Sequence, residues 1–451
     1  MQGVPFSSLR DFPKIFLDFI EGRPYIHDRF PLNSKIYESE EEFFDRAVTF
    51  NTRKEIVALI KRTMSGVQLS EKHKENISML ENHSALVVTA KCRPAFLGGP
   101  VSNLITAFST LALADKLNKS YQYISFIPLI FLDDDRQDNL EVTRAEIFDD
   151  NYKVKIISSR PFAGKTDRTI VSDLFFDNSI VNIIEQLEDY LPDSEHKAAL
   201  IGELKTIYVT GGSYVDSFVK LIDRFTNEYG LLFISNSSIR QMGLFDNLVM
   251  KELKEVGTSY EIIQNAERIL KEKNYQIKAK AYDINLLFHS SEGCEKLSKF
   301  GSGKFKIEDR VYTLDSLIRL AEKEKGKFSP YVLLDYVFRH SIMPTAVEIT
   351  NPSGIGHASM LKELYSYFKT PMPAYFPRHS ATFNDNAAFF RLRMKHHDNL
   401  VFNYVFPRGN LHERIISQVY FTDLCGRDKL QFLLNDLVEQ EPDRHYSVAI
   451  S

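Results

Sequence analysis

The chain has 451 residues, 43% of them hydrophobic, which is material for more than one sizeable core, so two or three structural units are expected and a disordered or fibrous chain is excluded. Its 56 basic and 60 acidic residues leave a formal net charge of −4, which offers no electrostatic case for a nucleic-acid backbone or an anionic membrane. Three scattered cysteines, Cys92, Cys294 and Cys425, lack C-x-x-C spacing, and no signal-like segment opens the chain, so a leaderless protein of the reducing cytoplasm is expected.

Taken in order, residues 1–83 read as a helical segment with proline punctuation, notably Phe43 to Met64. Ala85 to Thr89 is a continuous apolar strand of the kind that parallel sheets cover on both faces. After Pro100, Val101, Leu104, Ile105, Phe108, Leu111 and Ala112 recur at helical spacing, and Ile124 to Leu132 is a second buried strand, too short to span a bilayer. Strand, crossover helix and strand make a βαβ unit over 84–141. Residues 142–205, with a short strand from Lys153 to Ile157 and charged helical stretches, read as an insertion.

The core resumes over 206–275, where Val215, Phe218, Leu221, Ile222 and Phe225 form a helix face, Gly230 breaks it, and Leu231 to Ile234 is a strand. Asn247 to Lys273 reads as one helical tract with Gly257 inside it. Residues 276–327 form a second insertion, with an apolar run Ile284 to Phe288 and a hairpin-like Lys304 to Tyr312. Over 328–382 a Ser-Pro opens a helix, Met343-Pro344 leads into a strand, a glycine loop turns into another helix, and Pro371-Met372-Pro373 precedes a strand ending in Pro377-Arg378-His379-Ser380-Ala381-Thr382. Residues 383–410 connect to a helical segment, 411–451. The fold class is α/β, a Rossmann-like parallel-sheet core with two inserted α+β segments and helical N- and C-terminal parts.

Several residues could carry chemistry. Gly98-Gly99-Pro100, with Ser102 and Asn103 beside it, stands between a strand and a helix, where free N–H groups favour a phosphate; a plain tight turn explains it as well. Asp133-Asp134-Asp135 ends a strand at the edge where open α/β sheets bind ligands, and could hold Mg²⁺ or an ammonium, or be a solvated acidic turn. Lys91 and Arg93 could meet a carboxylate or phosphate, while Cys92 between them reads as an inert buried thiol. Arg378, His379, Ser380 and Thr382 follow a strand, and Arg378 suits bidentate contact with an oxyanion or a structural ion pair. His396-His397 is adjacent and makes no zinc pair.

The order and spacing of the 328–382 marks, of Val88-Thr89 with Phe96-Leu97-Gly98-Gly99-Pro100, of Tyr229-Gly230-Leu231, and of Leu411-His412-Glu413-Arg414 with Tyr420-Phe421 resemble the cysteine ligases of bacillithiol biosynthesis, from about Phe16 to the end. The resemblance implies joining of cysteine to the amino group of glucosaminyl malate, with an adenine nucleotide (ATP/ADP) and Mg²⁺. It implies Asp133, Asp135, His357 and His379 as catalytic candidates. Lys91, Arg93, Gly98, Gly99, Ser102, Asn103, Gly354, Gly356, Arg378, Ser380 and Thr382 are the binding candidates, and no metal ligand set is assigned.

This chain departs from the family pattern at several polar positions. Lys91-Cys92 replaces two glutamines, no histidine lies between Leu132 and Val142, Gly354-Ile355-Gly356-His357 replaces a loop ending in glutamate, and Asp335 stands where arginine is usual. The span from Phe383 to Asn410 is too short for the family's long coiled coil, since at ~1.5 Å per residue two helical arms stay under about 20 Å each. A monomer or an atypical homodimer is therefore expected. A divergent amide ligase of another pathway and a non-catalytic binding scaffold remain as alternatives.

Overall fold

The computed structural model describes residues 2–6, 12–33, 36–38, 40–82, 84–136, 139–148, 154–159, 169–277, 280–291, 293–307, 309–385 and 444–450. The readings at His396-His397, Leu411-His412-Glu413-Arg414, Tyr420-Phe421 and Cys425, and the connection beyond Asp385, lie outside them.

The core elements, in chain order, are β1 (Ala85–Cys92), α1 (Ser102–Ser120), β2 (Ser125–Leu132), α2 (Tyr214–Thr226), β3 (Leu232–Ser235), α3 (Asn236–Gln241), α4 (Val332–Ile342), β4 (Thr345–Thr350), α5 (Pro352–Ala358) and β5 (Ala374–Pro377). The five strands form one sheet in the order β5-β4-β1-β2-β3, and every pairing in it is parallel. The chain winds outward from β1 to β2 and β3, then returns to the other flank of β1 to lay down β4 and β5. That reversal puts a topological switch point between the carboxyl ends of β1 and β4, where open α/β sheets bind ligands.

The strands are apolar throughout because both faces are covered: Leu86, Val87 and Val88 of β1 and Phe126, Leu129 and Ile130 of β2 are almost fully buried. The Ser213 hydroxyl caps α2 by accepting from the Asp216 N–H at 2.9 Å. Gly230, at φ 69°, turns the chain into β3. The first insertion builds its own core around Val142, Ile147, Ile180, Leu204, Tyr208 and Tyr214, and Phe96 and Leu97 reach into it from the loop after β1. The second insertion carries an antiparallel sheet of Leu286–Ser290, Gly293–Lys296 and Phe328–Pro330.

The structure corrects several sequence expectations. Phe43 to Met64 is two helices, Glu40–Val48 and Arg53–Thr63. The tract 247–273 is also two, Asp246–Lys254 and Thr258–Glu272, because Gly257 adopts φ 89°, a conformation that a continuous right-handed helix cannot contain. Ser329-Pro330 belongs to a strand and α4 starts after it; Pro330 presents no N–H to an interior ladder and so suits a strand end. Arg378-His379 separates β5 from a second strand, Ser380–Asp385, which pairs in parallel with Arg444–Ile450. Arg444–Ile450 is thus a strand within the stretch expected to be helical, and it pairs on its other side with Gln2–Pro5 in the N-terminal segment.

Gly354 and Gly356 lie inside α5 rather than in a flexible loop. The Asn351 side chain caps this helix by accepting from the Gly354 N–H at 2.8 Å, which draws its first turn down onto the end of β4. A Cβ at Gly354 would sit 1.8 Å from Thr350 Oγ1, so glycine is required there by close approach. Gly354→Ala is expected to cost about 1–3 kcal/mol by overpacking. Combining it with Thr350→Ala, which removes the opposing atoms, should recover much of that loss. Denaturant unfolding of both single variants and the double tests this, and strictly additive losses would exclude it.

Candidate functional site

Successive residues of a strand point to opposite faces, so Lys91 and Cys92 at the end of β1 divide the candidate residues into two groups. On the α4 face, Lys91 Nζ donates to Asp335 Oδ2 at 3.0 Å and lies 3.4 Å from Asp133 Oδ2. Arg339, one turn beyond Asp335, reaches back to it at 3.2 Å and holds Glu348 of β4 through both terminal nitrogens, at 3.1 and 3.3 Å. Its guanidinium also stacks 4.8 Å from the Phe131 ring centre.

Glu348 passes the network on to His340, whose Nε2 is 3.1 Å away, and the ring's Nδ1 faces the Tyr365 hydroxyl at 2.5 Å. Burial pushes His340 below its ordinary pKa, although Glu348 opposes this, so the ring is neutral. Nε2–H then donates to Glu348, Nδ1 accepts from Tyr365, and Tyr375, 2.7 Å from Tyr365, donates into the row. Against the cost of burial, Arg339 and His340 hold the Glu348 carboxyl below its usual range.

The three consecutive aspartates have different partners. Asp133 is met by Lys91, by Arg93 at 3.1 Å and by Arg136 at 3.5 Å; these cations outweigh its burial and hold it well below the carboxylate range. Asp134 accepts from the Ser235 and Ser237 hydroxyls and from the Ser237 N–H. Asp135 accepts from Arg240 Nε with both oxygens, at 2.9 and 3.0 Å, and His289 of the second insertion lies 3.5 Å away. Burial pushes the Asp135 carboxyl up to about 7, with Arg240 opposing and Asp134 adding. It also drives His289 down to about 2, helped by Arg240 and Arg136. The triplet is therefore buried and matched to cations and hydroxyls rather than a solvated turn: Asp135 gives both oxygens to Arg240, while Asp133 Oδ2 meets Lys91 and Arg93 and its Oδ1, 3.5 Å from Arg136, accepts no hydrogen bond. The surrounding lysine and arginines leave both ill suited to Mg²⁺, and among the described residues no group of three or more metal-ligating side chains is gathered.

On the α1 face, Cys92 Sγ sits 3.9 Å from the Asn103 carbonyl, and burial pushes its thiol up to about 12 although Arg378 is close enough to oppose this. It is no activated nucleophile. Arg378 stands just past β5, anchored by its own N–H to the Thr350 carbonyl at 2.8 Å, at the switch point. Its side chain makes no hydrogen bond or ion pair with the described residues. His379 is clamped by the Ser109 hydroxyl at 3.0 Å and pushed down to about 4 by burial, so it too is neutral. Beside it, α1 and the helix Glu71–Glu81 border a cavity of about 590 Å³ lined by Asn76, Ile105, Phe108 and His379.

The glycine turn reads differently in three dimensions. Gly98 and Gly99 spend their N–H groups on the Ala95 and Phe96 carbonyls, both at 3.1 Å, and Asn103 turns its amide back onto the Gly98 carbonyl at 3.0 Å. These three shape the turn rather than cradle an anion, and α1 begins at Ser102, two residues after Pro100. Within the helix end, Ser102 is the remaining polar side chain of the predicted set. His357 rides on α5, away from the loop expected to carry it. Ser380 and Thr382 belong to the separate strand Ser380–Asp385.

The sequence reading missed Arg136, Arg240, His289, Arg339, His340 and Glu348. A signal was present: Glu348 interrupts the apolar strand Thr345–Thr350, and Arg339-His340 interrupts an apolar helix, positions where a charge survives only if paired.

Residues 3–379 match the family described as bacillithiol biosynthesis BshC, N-terminal Rossmann-like domain. The chain belongs to this family. It is 21% identical over 389 residues to a Salinibacter ruber protein named "Putative cysteine ligase BshC", with 84% of this chain and 69% of that protein aligned. The same name is carried by a Chloroherpeton thalassium protein, 23% identical with 84% and 69% aligned, and by a Chlorobium phaeobacteroides protein, 23% identical with 73% and 59% aligned. Each relative thus extends beyond what this chain aligns with. Among the described residues no helix is long and apolar enough to cross a membrane.

A pH dependence follows from the buried network around His340 and Glu348. An unfolded imidazole titrates near ~6.5, and folded His340 lies below that, so its contribution is fully present above about pH 6.5 and is lost as pH falls toward the folded value. Glu348, also lowered in the fold, has the same sign at lower pH. Unfolding free energy should therefore fall below about pH 6.5. In His340→Gln the fall should be shallower by up to about 1.4 kcal/mol per pH unit, one proton's worth. Urea titrations at several pH values check this, and identical slopes in both proteins would refute it.

Proposed function

We propose that this chain is a carbon–nitrogen ligase that joins cysteine to the amino group of glucosaminyl malate in bacillithiol biosynthesis. Family membership over residues 3–379 and the name shared by its relatives support the reaction class. The observation that carries the site is Arg378: a half-buried guanidinium at the switch point, lacking any acidic partner among the described residues. Partial burial of an arginine without a counter-charge costs free energy, and a substrate oxyanion is the partner that would offset it.

An adenine nucleotide fits this face. The N-terminus of the long helix α1, with Ser102, and Arg378 would hold its phosphates, and when bound it supplies the energy to activate the cysteine carboxylate. Residues of the chain bind and orient around it: neutral His379 is fixed by Ser109, and Cys92 keeps its thiol protonated. Mg²⁺ does not fit between Asp133 and Asp135, which are ringed by Lys91, Arg93, Arg136 and Arg240. A second reading, ligation to a different acidic amine, draws on one observation. Lys91 and Asp335, two positions that differ from the family pattern, form an ion pair at 3.0 Å, so the acceptor side of the site is reshaped. The protein acts on small molecules in either case.

Arg378→Ala should lose ~1.5–3 kcal/mol of binding, roughly ten- to a hundredfold, with little change in thermal midpoint. Mass spectrometry of the amide formed from cysteine, glucosaminyl malate and ATP is the direct test. Absence of product with wild type would remove this acceptor. Full activity in the folded variant would remove Arg378 from the site.

A further inference from the structure

The second insertion turns one face of its antiparallel sheet toward the carboxyl edge. In the observed register Leu287 lies opposite Ser329 on one side and Lys296 on the other, and His289 lies opposite Cys294, so these side chains share a face. His289, 3.5 Å from Asp135, shows which way that face looks. Two half-buried tyrosines border it. Tyr331 is the residue before α4, and its ring meets that of Tyr282 edge to face, with centres 5.5 Å apart. Lys296 places its ammonium 3.5 Å from the centre of the Tyr282 ring.

One buried asparagine fixes the backbone under both rings. Asn285 Oδ1 accepts from the Tyr282 N–H at 2.9 Å, its Nδ2 donates to the Tyr282 carbonyl at 2.8 Å, and its own carbonyl accepts from the Tyr331 N–H at 2.8 Å. Glu252 and Ser259, at 2.9 Å each, hold Asn285 in turn from the helices Asp246–Lys254 and Thr258–Glu272. Tyr331 also packs against Ile170, Leu287 and Cys294, and the Pro330 carbonyl just before it meets Arg136 at 3.5 Å, which ties the corner to the end of β2. The rings are thus held firmly yet left partly in water, forgoing apolar burial that a ligand would complete. Lys296 meets no carboxylate among the described residues, and it draws the Tyr282 phenol below its ordinary range. Its ammonium therefore keeps N–H donors for an anion.

We infer that Tyr282, Tyr331 and Lys296 form a subsite that takes the sugar ring of the acceptor, with the aromatic rings against its C–H face and the ammonium toward a carboxylate that the sugar carries. The identity of the sugar rests on the ligation reading, and the ring-binding corner does not. A pyranose suits it because sugar C–H bonds carry partial positive charge, matched to the negative face of an aromatic ring. An adenine base could stack on the same rings. The sugar is favoured because Tyr331 leads into α4, which covers the opposite face of the sheet from α1, whose N-terminus is the proposed nucleotide site.

Calorimetric titration of the full chain with glucosaminyl malate, with malate, which has the carboxylates and no ring, and with ATP tests this. Tyr282→Leu should weaken glucosaminyl malate binding about three- to tenfold and Lys296→Met about tenfold, with ATP binding within about twofold in both. Malate binding should fall in Lys296→Met and not in Tyr282→Leu. Tyr282→Phe, which keeps the ring, and Lys296→Arg, which keeps the charge, should each recover most of the loss. Weakened ATP binding instead, unchanged binding of all ligands, equal weakening of all, or a wild type that does not bind glucosaminyl malate would overturn the subsite. If wild type binds glucosaminyl malate through these residues but forms no amide, the ligase reading fails and the subsite stands. If the variants form amide with an unaltered KM for the acceptor, the subsite fails and the ligase reading stands.

Discussion

An ammonium at the carboxyl end of β1 and a carboxylate in the first turn of helix α4 meet at 3.0 Å, and the carboxyl edge is organised outward from that contact. Neither group could be buried alone, because an unpaired ion removed from water costs several kcal/mol. Each therefore recruits a further partner: Asp335 takes Arg339, Arg339 takes Glu348, and Lys91 takes Asp133, which takes Arg93 and Arg136. The chain of charges reaches the second insertion too. Arg240, bound to Asp135, also donates to the Gly326 carbonyl at 2.6 Å, and His289 meets Ser329 at 2.8 Å. The inserted sheet, which already feeds Leu286 and Phe328 into the main core, is thereby tied by polar contacts as well to the edge it borders.

The glycine turn after β1 shows how one motif can serve packing where a ligand was expected. Phe96 and Leu97 have to leave the sheet and enter the core of the first insertion, each worth about 1.5–3 kcal/mol of burial. The chain then has to reverse into α1 within a few residues. Gly98 and Gly99 both adopt positive φ to do so, and a Cβ at Gly98 would meet Leu221 of α2 at 3.1 Å. Their N–H groups are consumed in closing that reversal. On the proposed reading, an anion at this corner meets the end of α1 and Arg378 rather than the glycines.

The scaffold was legible because its signals are local: apolar runs for β1 to β3, Met343-Pro344 before β4, helical spacing for α1 and α2, and Gly230 as a stop. The parallel order followed from the βαβ pattern. What could not be read were relations between distant residues. Asp133 and Asp135 stood out as acids at a strand end, but only the fold shows Lys91, Arg93 and Arg240 arriving to occupy them. Lys91 and Asp335 were each visible as departures from a family pattern, and nothing local indicated that the two departures touch. Gly354 and Gly356 looked like loop residues because glycine disfavours helices; the close approach to Thr350 outweighs that preference at Gly354.

On the proposed reading, the division made by β1 constrains where bond formation takes place. The α1 N-terminus and Arg378, proposed to hold the nucleotide, lie toward the Cys92 face, and Lys91 with its carboxylate partners lies toward the other. Adjacent side chains at the end of a strand diverge, so reactants held on the two faces can meet only over the rim of β1, above Arg93 and beside the ends of β2 and β4. The groups bordering that rim are neutral or already matched: His379 and His340 are held unprotonated by burial, and Asp133 is held ionised by three cations. None of these three exchanges a proton readily near neutrality, and Asp135, pushed up to about 7, gives both its oxygens to Arg240. Orientation of the amine against an activated carboxylate, rather than acid–base assistance from these side chains, is then the contribution this edge is built to make.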